Sequence, residues 1–172
     1  MRKYSLSAPR ALLLMLATFM LTQCSAPDEE GAPLTSSSAG YNTELSLVDI
    51  MNLVLDPASD EVWAAGGWIL SDAGYEELYP TTDEGWAYVR AQAAVVVESG
   101  NMLALPGRAV DNDAWMIYSQ GLSSAGMLAM KAATAQNKED FFQAGAQIYS
   151  VCTACHQAYS PDILDVFDEE AD

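Results

Sequence analysis

From Thr43 onward, apolar residues return at steps of three and four, the repeat of a helix with one buried face. The two-residue alternation of a half-buried strand does not persist anywhere in that span. In "TELSLVDIMNLVLD", Leu47, Ile50, Met51 and Val54 share a face. Pro57 lacks an amide hydrogen and crowds the turn before it, so it predicts a break or kink. "DPASDEVWAAGGWIL" then restarts the helix, with Asp56 as N-cap and Pro57 at the first helical position. "SDAGYEELYPTTDEG" reads as a connection. A second helix, about 83–105, spaces Trp86, Val89, Ala93, Val96, Gly100 and Leu103 along one side, and "PGR" stops it. A third begins near Asn112 and carries Trp115, Tyr118, Leu122, Ala125 and Ala129. The last opens at "NKED" with Asn137 as cap, is striped by Phe142, Tyr149, Cys152, His156 and Tyr159, and ends at Pro161. Four striped helices with short connections predict an all-α fold, a four-helix bundle spanning 42–172. Small residues are frequent on the stripes, which suggests room inside for something besides side chains.

The residues upstream address the chain. "MRKYSLSAPR" carries Arg2, Lys3 and Arg10, and "ALLLMLATFML" is an apolar run of 11 residues. A membrane-spanning helix needs about 20, so residues 1–23 read as an export signal rather than a span. "LTQC" resembles a bacterial lipobox ending in Cys24, although Gln23 stands where such boxes carry a small residue. Acylation of Cys24 would tether the protein to a membrane; cleavage after "CSA" is the competing outcome. "SAPDEEGAPLTSSSAG" is small, polar and proline-containing, so 24–41 reads as a flexible tether. The expected location is the periplasm.

The formal net charge is −17 at pH 7, and all 24 acidic residues follow Cys24. Against them stand Arg90, Arg108, Lys131 and Lys138. Nucleic acid and anionic membrane surfaces are poor partners for such a body, whereas a basic protein suits it. Solubility in a salty habitat accounts for the same charge.

The chemistry concentrates in "YSVCTACHQAYSPD", which holds the one histidine of the chain, His156, next to Cys152 and Cys155. Zinc wants about four ligands, and no second cysteine pair or further histidine supplies them. A thioredoxin-type redox pair wants a βαβ context, and this pair lies within a helix. C-x-x-C-H is also the attachment signature for c-type haem, in which two thiols add to the vinyl groups and the histidine reaches the iron. On a helix, Cys152, Cys155 and His156 fall at i, i+3 and i+4 and share a side. The bland reading is two buried thiols beside a core histidine. Haem attachment meets the most constraints, since export supplies the compartment in which such links are made.

A "CTACH" motif on the last helix of a bundle resembles cytochrome c′ and its relatives, the class II c-type cytochromes, over Thr43 to about Tyr159. The resemblance implies one covalent haem c per chain, held by Cys152 and Cys155, with His156 as proximal iron ligand. In that family the first helix covers the other haem face. Some members place a methionine there and carry electrons; others leave the iron five-coordinate and bind NO or CO. Met51 is the methionine of the first helix and the candidate distal ligand, with Leu47 and Leu55 packing beside it. Met102, Met116, Met127 and Met130 compete, and core filling is the plainer role for any of them. Trp63 and Trp86 are candidates to pack on the porphyrin, and Arg108 to pair with a propionate. The resemblance implies redox partner proteins and a homodimer as candidate assemblies. No nucleophile or general-base constellation accompanies the motif, so the expected role is an electron carrier rather than an enzyme.

Overall fold

The computed structural model describes residues 40–160 and Asp162. The expected signal, Cys24 and most of the tether lie outside them. The order is α1 (Leu47–Ile50), a π-helical segment (Met51–Leu55), α2 (Asp56–Ala64), β1 (Trp68–Ser71), β2 (Gly74–Glu77), α3 (Asp83–Leu103), α4 (Ala114–Ala135) and α5 (Lys138–Tyr159). Residues 47–64 form one continuous helical rod. With α3, α4 and α5 this makes four rods in a ring: α3 packs on α4, α4 on α5, and α2 on both α3 and α5. The bundle expectation stands. Among the described residues no helix is long and apolar enough to cross a membrane.

Ser46 starts the first rod with a capping box: its hydroxyl accepts the Asp49 amide at 3.0 Å while the Asp49 carboxylate accepts the Ser46 amide at 3.1 Å. Pro57 neither breaks nor ends it. The turn before the proline is widened instead, with the Asp56 amide reaching five residues back to the Met51 carbonyl. A wide turn moves that carbonyl row away from the proline ring, which would clash with a normal one. Asp56 is therefore helical (φ −62°, ψ −51°) rather than an N-cap. The core stripe steps by five across this turn, from Ile50 to Leu55, and then runs through Ala58 and Val62. Val54, expected on the stripe, is half-buried.

A hairpin occupies what the sequence reads as the tail of a helix and a connection. Gly67, at φ +103°, turns the chain out of the first rod. The strands pair antiparallel, Trp68 with Glu77 and Leu70 with Tyr75. Every residue of both strands is exposed. Trp68 stacks on Phe142 at 5.6 Å, and Glu77 forms an ion pair with Lys138 at the start of α5.

The α3 stripe is buried as expected, from Trp86 to Leu103, and Thr82 caps it through the Gly85 amide at 3.1 Å. In α4, Trp115, Leu122, Ala125 and Ala129 are buried, with Ser119 beside them, while Tyr118 is half-buried. Asn137 caps α5 as expected. The α5 stripe differs by one residue. Phe141, Gly145 and Ile148 face the core, whereas Phe142 and Tyr149 are exposed.

The small residues of α3 and α4 serve close approach rather than internal space. A Cβ on Gly100 would stand 2.3 Å from the Ser123 hydroxyl oxygen and 2.5 Å from the Ser119 carbonyl oxygen. One on Gly126 would stand 2.8 Å from a Val97 methyl and 3.0 Å from the Val97 nitrogen. The Ser123 hydroxyl donates across the seam to the Val97 carbonyl at 2.8 Å. Nothing as large as a cofactor fits between these two helices.

Candidate functional site

The buried α5 stripe of Phe141, Gly145 and Ile148 continues, in steps of four, three and four, onto Cys152, Cys155 and Tyr159. The two cysteines thus occupy core-facing positions, and His156 lies one turn after Cys152 on the flank that carries Phe142 and Tyr149. Cover falls away at the motif. Phe141, Ala144, Gly145 and Ile148 are fully buried, yet every residue from Val151 to His156 is half-buried. On the α4 side Val151 packs against Gly121.

Both thiols are free. Burial, the neighbouring Cys155 and the Asp56 carboxylate push the Cys152 thiol up to about 11, and burial pushes Cys155 up as well. Both are therefore held toward the protonated thiol near neutral pH, which makes them poor thiolate nucleophiles in this setting. Among the described residues no group of three or more His, Cys, Asp or Glu side chains converges to hold a metal ion.

The first rod faces this cluster. The Trp63 indole donates to the Gly145 carbonyl at 3.0 Å and meets the Tyr149 ring edge-on at 6.2 Å. Seven residues earlier, Asp56 comes near enough to Cys152 to raise its pKa. These contacts fix an antiparallel register between the rod and α5. Met51 opens the wide turn and is half-buried against the core edge, as is Leu47, while Leu55 is buried.

Beyond the motif, the Ser160 amide donates to the His156 carbonyl at 2.8 Å. Tyr159 lies edge-on to Trp115 at 5.0 Å and to Tyr118 at 6.2 Å, and its hydroxyl donates to the Asp111 carboxylate. Asp111 also accepts the amides of Asp113, at 2.8 Å, and Trp115, at 3.1 Å. Asp111 escapes sequence reasoning, and Asp56 is expected there only as a cap; the "DND" run before α4 is the one signal that points toward Asp111.

Of the other candidates, Trp86 is remote. It is buried at the opposite end of α5, edge-on to Phe141 at 5.6 Å. Arg108 lies in the α3–α4 loop near Asp111 and donates to the carbonyls of Met102, at 3.3 Å, and Asn42, at 3.4 Å. Its buried Nε has no partner. Met127 is exposed, whereas Met102, Met116 and Met130 are half-buried. A groove of about 550 Å³ between α4 and α5, lined by Leu128, Lys131, Gln143 and Gln147 among others, opens on the face of α5 opposite Cys152. It contains no motif residue.

The donor set is thus two neutral thiols and one imidazole on a single helix, at a place where the core is incompletely covered. Neither a protein-family model, a curated protein nor a solved structure matches the chain.

Proposed function

We propose that the chain is a one-haem c-type cytochrome of the periplasm that carries electrons, with Cys152 and Cys155 as the thioether attachment points and His156 as the proximal iron ligand. The observation that carries this reading is the coincidence of "CTACH" with the place on α5 where the core stripe continues but its cover does not. Haem, when bound, supplies one-electron chemistry at its iron. The chain's own part is to hold the ring, shield it from water and present one edge to partners.

Met51 is the proposed distal ligand. The family resemblance and its half-buried place at the core edge of the first rod support this choice. Methionine opposite histidine favours the ferrous state and raises the reduction potential. A five-coordinate, gas-binding reading draws support from Leu47 and Val54, half-buried apolar residues on either side of Met51. A lipid anchor on Cys24 and a basic redox partner belong to the same proposal.

The test is the mass and colour of the mature protein made in a host with haem-attachment machinery. One covalently added haem is the expected result, with no free thiol left to alkylate. A colourless product with the mass of the polypeptide alone overturns the proposal.

A further inference from the structure

We infer that Tyr159 and Asp111 position the His156 imidazole by pinning the last turn of α5 to the start of α4, an assignment that rests on the cytochrome reading above. A ligating histidine ordinarily gives its second ring nitrogen to a carboxylate or carbonyl, which sets the plane of the ring. Among the described residues, no hydrogen bond involves the His156 ring. The backbone that carries the ring therefore bears on its orientation.

That backbone lies three residues from the end of the helix. Terminal turns fray unless something holds them. No glycine closes this one: the C-cap, Ser160, is at φ −151° and ψ 56°. Tyr159 does the holding. Its ring is boxed by Trp115 and Tyr118, and its hydroxyl reaches Asp111. Asp111 is in turn fixed by two amides at the start of α4, and the Trp115 indole is fixed by the buried Leu103 carbonyl at 2.8 Å. The ends of α4 and α5 thus meet at one phenol, one turn past His156, and the end of α3 is tied to the indole beside it. Tyr159 and Asp111 touch no reacting atom in this account; they act through the helix.

Tyr159→Phe keeps the ring in its box and deletes one hydrogen bond, so it tests the assignment without threatening the fold. In the haem-loaded full-length protein, amide exchange from Cys155 to Ser160 should accelerate about tenfold on loss of a bond to a charged group. The paramagnetically shifted haem methyl resonances, which follow the plane of the axial imidazole, should move in the same variant. Asp111→Asn keeps an oxygen for the two amides and can donate its amide to the phenol oxygen, so its resonances should stay nearer to wild type. Faster exchange with unmoved haem resonances would reduce Tyr159 to a structural role and overturn the assignment, as would no change in either. A wild-type protein without haem overturns the cytochrome reading itself, and this assignment with it, and the mass alone tells that outcome from the other two.

Discussion

The Trp63 indole N–H donates to the Gly145 carbonyl at 3.0 Å, fastening the first rod to the middle of α5. The two pack closely, since a Cβ on Gly145 would meet the indole at an ordinary contact distance of 3.4 Å. Trp63→Phe removes the donor and leaves space between the rods. The expected cost is about 2 kcal/mol, of which the hydrogen bond accounts for about 1 and the lost packing for the rest. Urea unfolding measures it, and a change below about 0.5 kcal/mol, the size typical of plain surface substitutions, would show that the contact does not hold the rods together.

Glycines in helices are ordinarily improved by alanine, by about 1 kcal/mol. Gly121→Ala should follow that rule, because its Cβ would meet the Val151 methyls at an ordinary 3.6 Å. Gly100→Ala should invert it. The Ser119 carbonyl at 2.5 Å belongs to a helix backbone and cannot swing aside, so a net loss of about 2 kcal/mol is expected. Thermal melts of the two variants should move in opposite directions. A stable Gly100→Ala protein would mean that α3 and α4 are not in this close contact.

Met51→Leu separates the two haem readings. If methionine ligates the iron, the variant should lose the far-red methionine-to-iron absorption band, become high-spin in the ferric form and bind CO readily. An unchanged spectrum would remove Met51 from the distal position while leaving the attachment residues in place.

The Asp111–Tyr159 pair predicts stability losses at both ends of the pH scale. The Tyr159 hydroxyl and the amides of Asp113 and Trp115 hold the Asp111 carboxyl below its usual value of 3.8. Its contribution is therefore present above that usual value and disappears as pH falls through the lowered one. The bond to Asp111, together with burial, pushes the Tyr159 phenol from 10.0 up to about 12. That contribution is complete below pH 10 and is lost between about pH 10 and 12. Melting temperatures across pH should show Tyr159→Phe lacking the alkaline loss and weakened in the acid one. Parallel curves for variant and wild type would dissociate the pair from stability.

How much of this was legible depended on whether one physical rule acted alone. The α3 stripe was readable because its amphipathic repeat runs uninterrupted from Trp86 to Leu103 and "PGR" closes it. The phase of α5 was misread because Phe141 and Phe142 are adjacent, and counting back in sevens from His156 selects the wrong one. The histidine lies beside the core stripe, whereas the cysteines lie on it. The hairpin was hidden for a different reason. "WILS" continues an apolar run from the first rod, and its glycine comes one position too late for the usual two-residue turn signal. Asp56 was misplaced because a proline ordinarily restarts a helix, and a widened turn is the rarer way to accommodate it. The C-x-x-C-H motif itself needed no fold to be seen, but its setting against the first rod did.

The wide turn between Met51 and Leu55 also acts as an angular offset. Each residue turns a helix by about 100°, so deleting Asn52 would swing everything before it by roughly that much relative to Ala58 and Val62. Met51 would keep its neighbours in sequence and come to lie on a different side of the rod. The direction in which the front of the rod points is thus set by one surplus residue and the proline it makes room for.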